Sequence, residues 1–276
     1  MPLAELLRLG HCAYGTLIVS PSPRWPATVA RLGLDFVFID TEHIALDRAQ
    51  LSWMCQTYLA LGLSPVVRIP RPDPYQACMV LDGGAIGVVA PYVETVEEVR
   101  ALVGAVKLRP IKGARLDAAL ADRSALEPEL ATYLEQRNRD SILIINIEST
   151  PALARLEELL SVPGVDAVLI GPHDLSCSLG LPEQYDDPRF DAAVVDIIRL
   201  ARSHGKAVGI HWWGAPERLL RWKQAGLNLI VYSADIIAMQ RWVGEGVAAL
   251  RSSDGNLRAS DEKPPIAKVA TKVDAI

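Results

Sequence analysis

The chain alternates between short, almost wholly apolar runs and longer stretches whose apolar positions recur at helical spacing. Eight short runs occur, at Gly15–Val19, Phe36–Ile39, Pro65–Ile69, Ile86–Val89, Ile142–Ile147, Ala167–Ile170, Ala207–Ile210 and Leu229–Tyr232. Continuous apolar runs this short predict strands buried on both faces. The intervening stretches carry helix signals. Leu46–Leu61 has helical periodicity, and Thr95–Val106 opens with Thr95 and Glu98, the pattern of a capping box. Pro151 opens a helix to Leu160, where its missing N–H is harmless. Asp191–His204 and Pro216–Ala225 follow, the latter closed by Gly226 as a C-cap.

Strands alternating with helices predict an α/β chain folded as a (β/α)8 TIM barrel. The competing arrangement is a doubly wound open sheet, but its G-x-G-x-x-G fingerprint after the first strand is absent. The interval from Pro91 to Ser141 is longer than the others and holds an extra excursion, KLRPIKGARLDAALADRS. Residues 1–250 are expected to form the barrel. From Arg251 the chain turns polar and proline-containing, which predicts a disordered tail or an arm on a neighbouring subunit.

Composition narrows the class. Half of the 276 residues are hydrophobic, enough for a large core, and the net charge of −5 argues against a nucleic-acid surface. No apolar run reaches membrane-helix length, and MPLAELLRLGHCAYG lacks the cationic start and apolar core of a signal peptide. The four cysteines are scattered without a CxxC pair, as expected for free thiols in a cytoplasmic protein.

The second run ends abruptly in Asp40, Thr41, Glu42 and His43 (FVFIDTEH). In a parallel barrel the ends of all strands meet at one face, where active sites belong. Arg68, Asn146, Glu148, His173, Asp174, His211, Trp212, Trp213 and Asp235 sit at or just past the other strand ends. Glu148 and Asp174 follow consecutive strands, and two carboxylates suit a hard divalent ion that keeps open positions. They could equally cap helices or pair with lysines. Arg68, inside PVVRIP, requires an anionic partner; a structural acid such as Glu42 or a substrate oxyanion would each serve. His43 lies three residues from Asp40, so that carboxylate could fix its tautomer for proton transfer, or the histidine could have structural contacts only. Together these parts suggest a divalent metal polarising a 2-oxo acid, a base, and an arginine holding the enolate. No lysine ends a strand run, which argues against Schiff-base chemistry.

The segments LDFVFIDTEH, SPVVRIPRPDPYQACMVLDGGAIGVVAPYVETVEEVR, INIESTPAL and VPGVDAVLIGPHDLSCSLG resemble the HpcH/HpaI family of metal-dependent 2-oxo acid aldolases. The resemblance implies a barrel of the phosphoenolpyruvate/pyruvate type. It implies cleavage or formation of 4-hydroxy-2-oxo acids through a metal-stabilised pyruvate enolate and an aldehyde acceptor. It gives His43 the acid/base role with Asp40 assisting, Arg68 the pyruvyl unit, and Glu148 and Asp174 a Mg²⁺, Mn²⁺ or Co²⁺ ion. The backbone around Gly171, Pro172, His173 and Asp174 would receive the substrate carboxylate. It further implies a homohexamer or trimer whose subunits exchange C-terminal helices, with Asp82 serving a neighbouring site.

Departures cluster around the acceptor side. Asn146 replaces the usual glutamine, His173 a small residue, and the loop KGARLD keeps only part of the family's glycine-arginine-glycine pattern. His211, Trp212 and Trp213 replace smaller or aliphatic residues, and Leu17 stands where some members place tryptophan. These changes suggest an altered acceptor; the tryptophans could instead cover the barrel mouth or a subunit contact. Cys177 reads as a packing residue. Two other functions fit the same residues. One is an oxaloacetate decarboxylase or citrate-synthase-like condensing enzyme. The other is a non-catalytic barrel that binds metal and 2-oxo acid.

Overall fold

A computed structural model describes residues 1–253. Eight parallel strands close into a barrel in chain order: β1 (Ala13–Leu17), β2 (Phe36–Asp40), β3 (Ser64–Arg68), β4 (Gly87–Ala90), β5 (Ile142–Ile147), β6 (Ala167–Ile170), β7 (Ala207–Trp212) and β8 (Leu229–Ala234), with β8 pairing back onto β1. Every predicted strand is present. β7 and β8 run two residues further than their apolar runs, because His211, Trp212 and Ser233 continue the ladder although they are not aliphatic.

Alternation along each strand builds two cores. Outward residues such as Val37, Ile39, Val67, Val88, Ile145, Ile147 and Val168 pack against the helices. Inward residues such as Phe36, Phe38, Val66, Val89, Ile142, Ile144 and Leu169 fill the barrel. Its N-terminal end is plugged by Leu3, Ala4 and Leu7 of the opening helix Leu3–Arg8. Space inside is tight: a Cβ on Gly15 would lie 2.5 Å from the Phe36 ring, so the bulky ring needs glycine beside it.

Several helix signals hold. Thr95 and Glu98 form the reciprocal capping box of Val96–Lys107, and Gly226 closes Pro216–Ala225 in the left-handed region at φ 118°. The helix expected over 151–160 is instead two short helices, Thr150–Ala154 and Leu156–Leu160, separated by the non-helical backbone of Arg155 (φ −113°, ψ 11°). The long excursion is helical, as Gly113–Ala121 and Pro128–Asn138. Helix Pro172–Ser178 follows the end of β6 after Gly171 alone, and Pro74–Asp82 follows β3 after a five-residue loop. The boundary expected at Arg251 falls inside the last helix, Asp235–Ser253, and the remainder of the tail lies outside the described residues. Among the described residues no helix is long and apolar enough to cross a membrane, and all four cysteines are free.

Candidate active site

Near the C-terminal mouth the inward positions stop being apolar. β2 runs Phe36, Phe38, Asp40; β3 runs Val66, Arg68; β5 runs Ile142, Ile144, Asn146, with Glu148 one step beyond the strand. The strand register sets Asp40 opposite Arg68. Arg68 uses it fully: Nε donates to Asp40 Oδ1 at 2.9 Å and Nη2 to Oδ2 at 2.6 Å. Arg68 Nε also lies 3.2 Å from Glu42 Oε2, and its guanidinium rests 5.7 Å from the Phe38 ring centroid. A buried arginine is thus held charged by two carboxylates, with Nη1 absent from those hydrogen bonds.

This pairing changes one expected contact. Asp40 is committed to Arg68 and to the backbone N–H of Glu42 (3.0 Å). The carboxylate beside His43 is Glu42, whose Oε1 lies 3.6 Å from Nε2. The reason is register: Asp40 is the last inward residue of β2, whereas Glu42 and His43 lie beyond the strand at the rim.

Glu148 sits across the mouth, nearly buried. Its Oε1 accepts the backbone N–H of Tyr92 at 2.7 Å and its Oε2 accepts Nδ2 of Asn146 at 2.8 Å. Burial, reinforced by the charge of Asp174, pushes its carboxyl up to about 6 despite those donors. Asp174 lies in the first turn of Pro172–Ser178. Gly171 between them is obligatory for space, since a Cβ there would fall 2.6 Å from Glu148 Oε2. Three buried side-chain atoms of this region lack a hydrogen-bond partner: Glu42 Oε2, Asn146 Oδ1 and His173 Nδ1. A cavity lined by Phe38, Arg68, Asn146, His173, Asp174 and Trp213, among others, takes in the last two of these residues. Two carboxylates from neighbouring strand ends, Glu148 and Asp174, with the open amide oxygen of Asn146 beside them, form an all-oxygen donor set that fits Mg²⁺ or Mn²⁺.

His211 points into the same cavity. Its Nε2 lies 3.1 Å from the Ser233 carbonyl oxygen, and burial pushes its pKa down to about 4, so the ring is neutral and that nitrogen is the donor. Trp213 packs edge-on to it at 5.4 Å. Trp212 does not join them. Strand alternation turns it outward, against Trp222, Tyr185 and Arg218, with its Nε1 donating to the Ala215 carbonyl. Leu17 is likewise part of the barrel interior rather than of the cavity lining. Asp235 is spent on structure: it accepts from Val19 N, Ser20 N and Trp25 Nε1, fastening the loop after β1. Asp82 is exposed and paired with Arg109 at 2.9 Å. Tyr92 is a residue that the sequence reading left without an assigned role at this site, and Glu42 it named only as a partner for Arg68.

The model of the HpcH/HpaI aldolase/citrate lyase family matches residues 15–221, which include every strand-end acid and base described above except Asp235. The chain belongs to the HpcH/HpaI family. A family relative, 2-dehydro-3,6-dideoxy-6-sulfogluconate aldolase of Pseudomonas putida, is 32% identical over 246 residues, covering 89% of this chain and 95% of that protein. Among solved structures, an HpcH/HpaI aldolase from Desulfitobacterium hafniense DCB-2 superposes with a TM-score of 0.80 at 27% identity, over 91% of this chain and 97% of that one. The citrate synthase SbnG superposes at 0.79 with 26% identity, over 92% and 98%.

Proposed function

We propose that this family member is a divalent-metal-dependent aldolase that cleaves or forms 4-hydroxy-2-oxo acids, with a pyruvate-type donor and an aldehyde acceptor. The observation that carries the reading is the convergence of the Asp40–Arg68–Glu42–His43 chain and the Glu148–Asp174 pair on one barrel mouth. The 2-oxo-3-deoxy acid named for the Pseudomonas putida relative supports the substrate class.

Glu148 and Asp174 would hold the ion, leaving its other positions to water and substrate. When bound, it supplies Lewis-acid polarisation of the 2-oxo group. Arg68 faces the developing enolate oxygen with a guanidinium already fixed by Asp40, so little reorganisation is needed. In the cleavage direction the C3–C4 bond breaks and its electrons enter the enolate. The C4 hydroxyl proton passes to His43, which is partly exposed at the rim, and the aldehyde leaves. The amides opening Pro172–Ser178 would receive the substrate carboxylate. Asn146, His173 and His211 line the pocket, and with Trp213 they would shape the acceptor.

The oligomer is part of the same proposal. The helix Asp235–Ser253 exposes Met239, Trp242, Val243 and Leu250. A groove of about 760 Å³ lined by Leu32, Leu34, Leu219, Ile230 and Tyr232 lies beside its start. Exchange of this helix between subunits would cover both.

Incubation with a 4-hydroxy-2-oxo-3-deoxy acid and Mn²⁺ should release pyruvate and an aldehyde. The likeness to SbnG favours a condensing reaction on oxaloacetate as the second reading. Product analysis with oxaloacetate, alone and with an acetyl thioester, separates the two: a condensed tricarboxylate with no aldol cleavage would replace the first reading by the second.

A further inference from the structure

Two polar groups lining the cavity stand on opposite staves of the barrel. Arg68 ends β3 and His211 lies on β7, four strands away in a ring of eight. Both sit against Phe38, whose ring centroid is 5.7 Å from the Arg68 guanidinium and 6.0 Å from the His211 ring. Arg68 can only donate hydrogen bonds, and the 2-oxo acid would take it up. The chemistry proposed above gives His211 no proton to move, yet its ring is held in one orientation. β8 carries an extra residue against β1 between the Gly15–Val231 and Leu17–Ala234 pairs, and Ser233 within that stretch has a φ of 59°, rare for a residue with a Cβ. The Ser233 carbonyl oxygen meets His211 Nε2 at 3.1 Å. A carbonyl only accepts, so Nε2 carries the proton. Burial keeps the imidazole neutral, which leaves a lone pair on Nδ1. Nδ1 has no hydrogen-bond partner among the described residues and, unlike His173 Nδ1, is not sealed from the cavity. Trp213 braces the ring edge-on at 5.4 Å.

We propose that His211 is a specificity residue whose Nδ1 accepts a hydrogen bond from a hydroxyl of the aldehyde acceptor, so that the site selects a 2-hydroxyaldehyde over its deoxy counterpart; this rests on the aldolase reading above. With the 2-oxo acid held at Arg68, the opposite stave is the one left to the acceptor. A hydroxyl on the carbon beside the aldehyde supplies the donor that Nδ1 lacks. A methyl in the same place would strip water from Nδ1 and leave it unpaired, which weakens binding. The tautomer is fixed by a main-chain carbonyl, so the lone pair stays aimed into the cavity without help from the substrate.

The test is aldol addition by the full chain with Mn²⁺ and pyruvate, comparing glycolaldehyde with propionaldehyde, which carries a methyl in place of the hydroxyl. In each addition pyruvate C3 loses a proton and bonds to the aldehyde carbon, whose oxygen takes a proton up. The readout is the ratio of the two kcat/KM values, glycolaldehyde over propionaldehyde, in which any loss of folded or metal-loaded enzyme cancels. That ratio should fall by about tenfold in His211→Leu. His211→Phe, which keeps an aromatic ring against Phe38 and Trp213, should match it. His211→Gln can donate its amide to the Ser233 carbonyl and still accept the hydroxyl, so it should keep more of the preference than either. A wild-type ratio in His211→Leu or His211→Phe, or a His211→Gln ratio no higher than theirs, would overturn the assignment. Failure of the wild type to add pyruvate to either aldehyde would instead overturn the aldolase reading, which separates the two failures.

Discussion

The two ends of the barrel are built from the same strands with the same alternation, and they hold opposite kinds of residue. Toward the N-terminal end the interior is Phe36, Val66, Ile142, Ala167, Ala207 and Leu229, closed by Leu3 and Leu7. Toward the C-terminal mouth the next inward positions are Asp40, Arg68, Asn146 and His211, all buried. The first set is what hydrophobic burial favours. The second lowers stability relative to an apolar filling, because buried charges lose hydration even when paired. One half of the barrel makes the fold, and the other uses the rigidity this provides to hold polar groups that water would otherwise scatter.

The comparison can be broken hardest at Arg68. Arg68→Ala leaves Asp40 and Glu42 facing each other without a counter-charge, and should destabilise the fold by about 3–5 kcal/mol while abolishing turnover. Denaturant unfolding and a pyruvate-release assay check both effects. Arg68→Lys should also fail in turnover, because a point charge cannot reproduce the two-pronged contact with Asp40. Phe36→Ala is the counterpart at the other end. It should cost roughly 3–5 kcal/mol through the void it leaves, yet the kcat of the folded fraction should be close to wild type. A Phe36→Ala protein that is stable but inactive would erase the division of labour.

A smaller effect is expected at Gly171. Its φ of −87° suits any residue, so Gly171→Ala should fold normally. The added methyl would displace Glu148, and Mn²⁺ affinity measured by calorimetry should fall by about 10–100-fold. An unchanged affinity would remove Glu148 from the metal site. Protonation should act in the same direction: with Glu148 raised to about 6, metal affinity should weaken as pH drops below that value.

The mildest test concerns His211. Its folded pKa of about 4 lies below its ordinary value, so between the two the unfolded chain binds more protons. Its contribution to stability is therefore full at neutral pH and declines as pH falls from about 6.5 toward 4, with a slope of up to about 1.4 kcal/mol per pH unit. Glu148, raised rather than lowered, works with the opposite sign in part of this window. The His211 contribution is thus read as the difference between wild type and His211→Gln in unfolding experiments across pH. No such difference would mean that the imidazole is not buried neutral.

Most of the fold was legible in the sequence, because a strand covered on both faces leaves an apolar run with few alternatives. The site was legible in its membership more than in its contacts. Arg68 in an apolar run announced a buried ion pair, but only the strand register reveals that Asp40 takes it and leaves Glu42 to His43. Trp212 and Trp213 were separable in principle, since alternation from His211 sends one outward and the next inward. The extension of β7 through Trp212, past its apolar run, hid that signal. Asp235 read as one more strand-end acid, yet it ties down a loop distant in sequence. Tyr92 carried no local signal at all: a positive φ in a tyrosine and a main-chain N–H placed on Glu148 exist only in three dimensions.

The central claim is that the polar end of the barrel turns a 2-oxo acid into an enolate against a divalent cation. Deuterium exchange at C3 of pyruvate measures that step without any aldehyde. The account predicts exchange with Mn²⁺, its loss in EDTA, its return on adding the metal back, and its absence in both Asp174→Ala and His43→Ala. Full-rate exchange in EDTA, or undiminished exchange in Asp174→Ala, would contradict it.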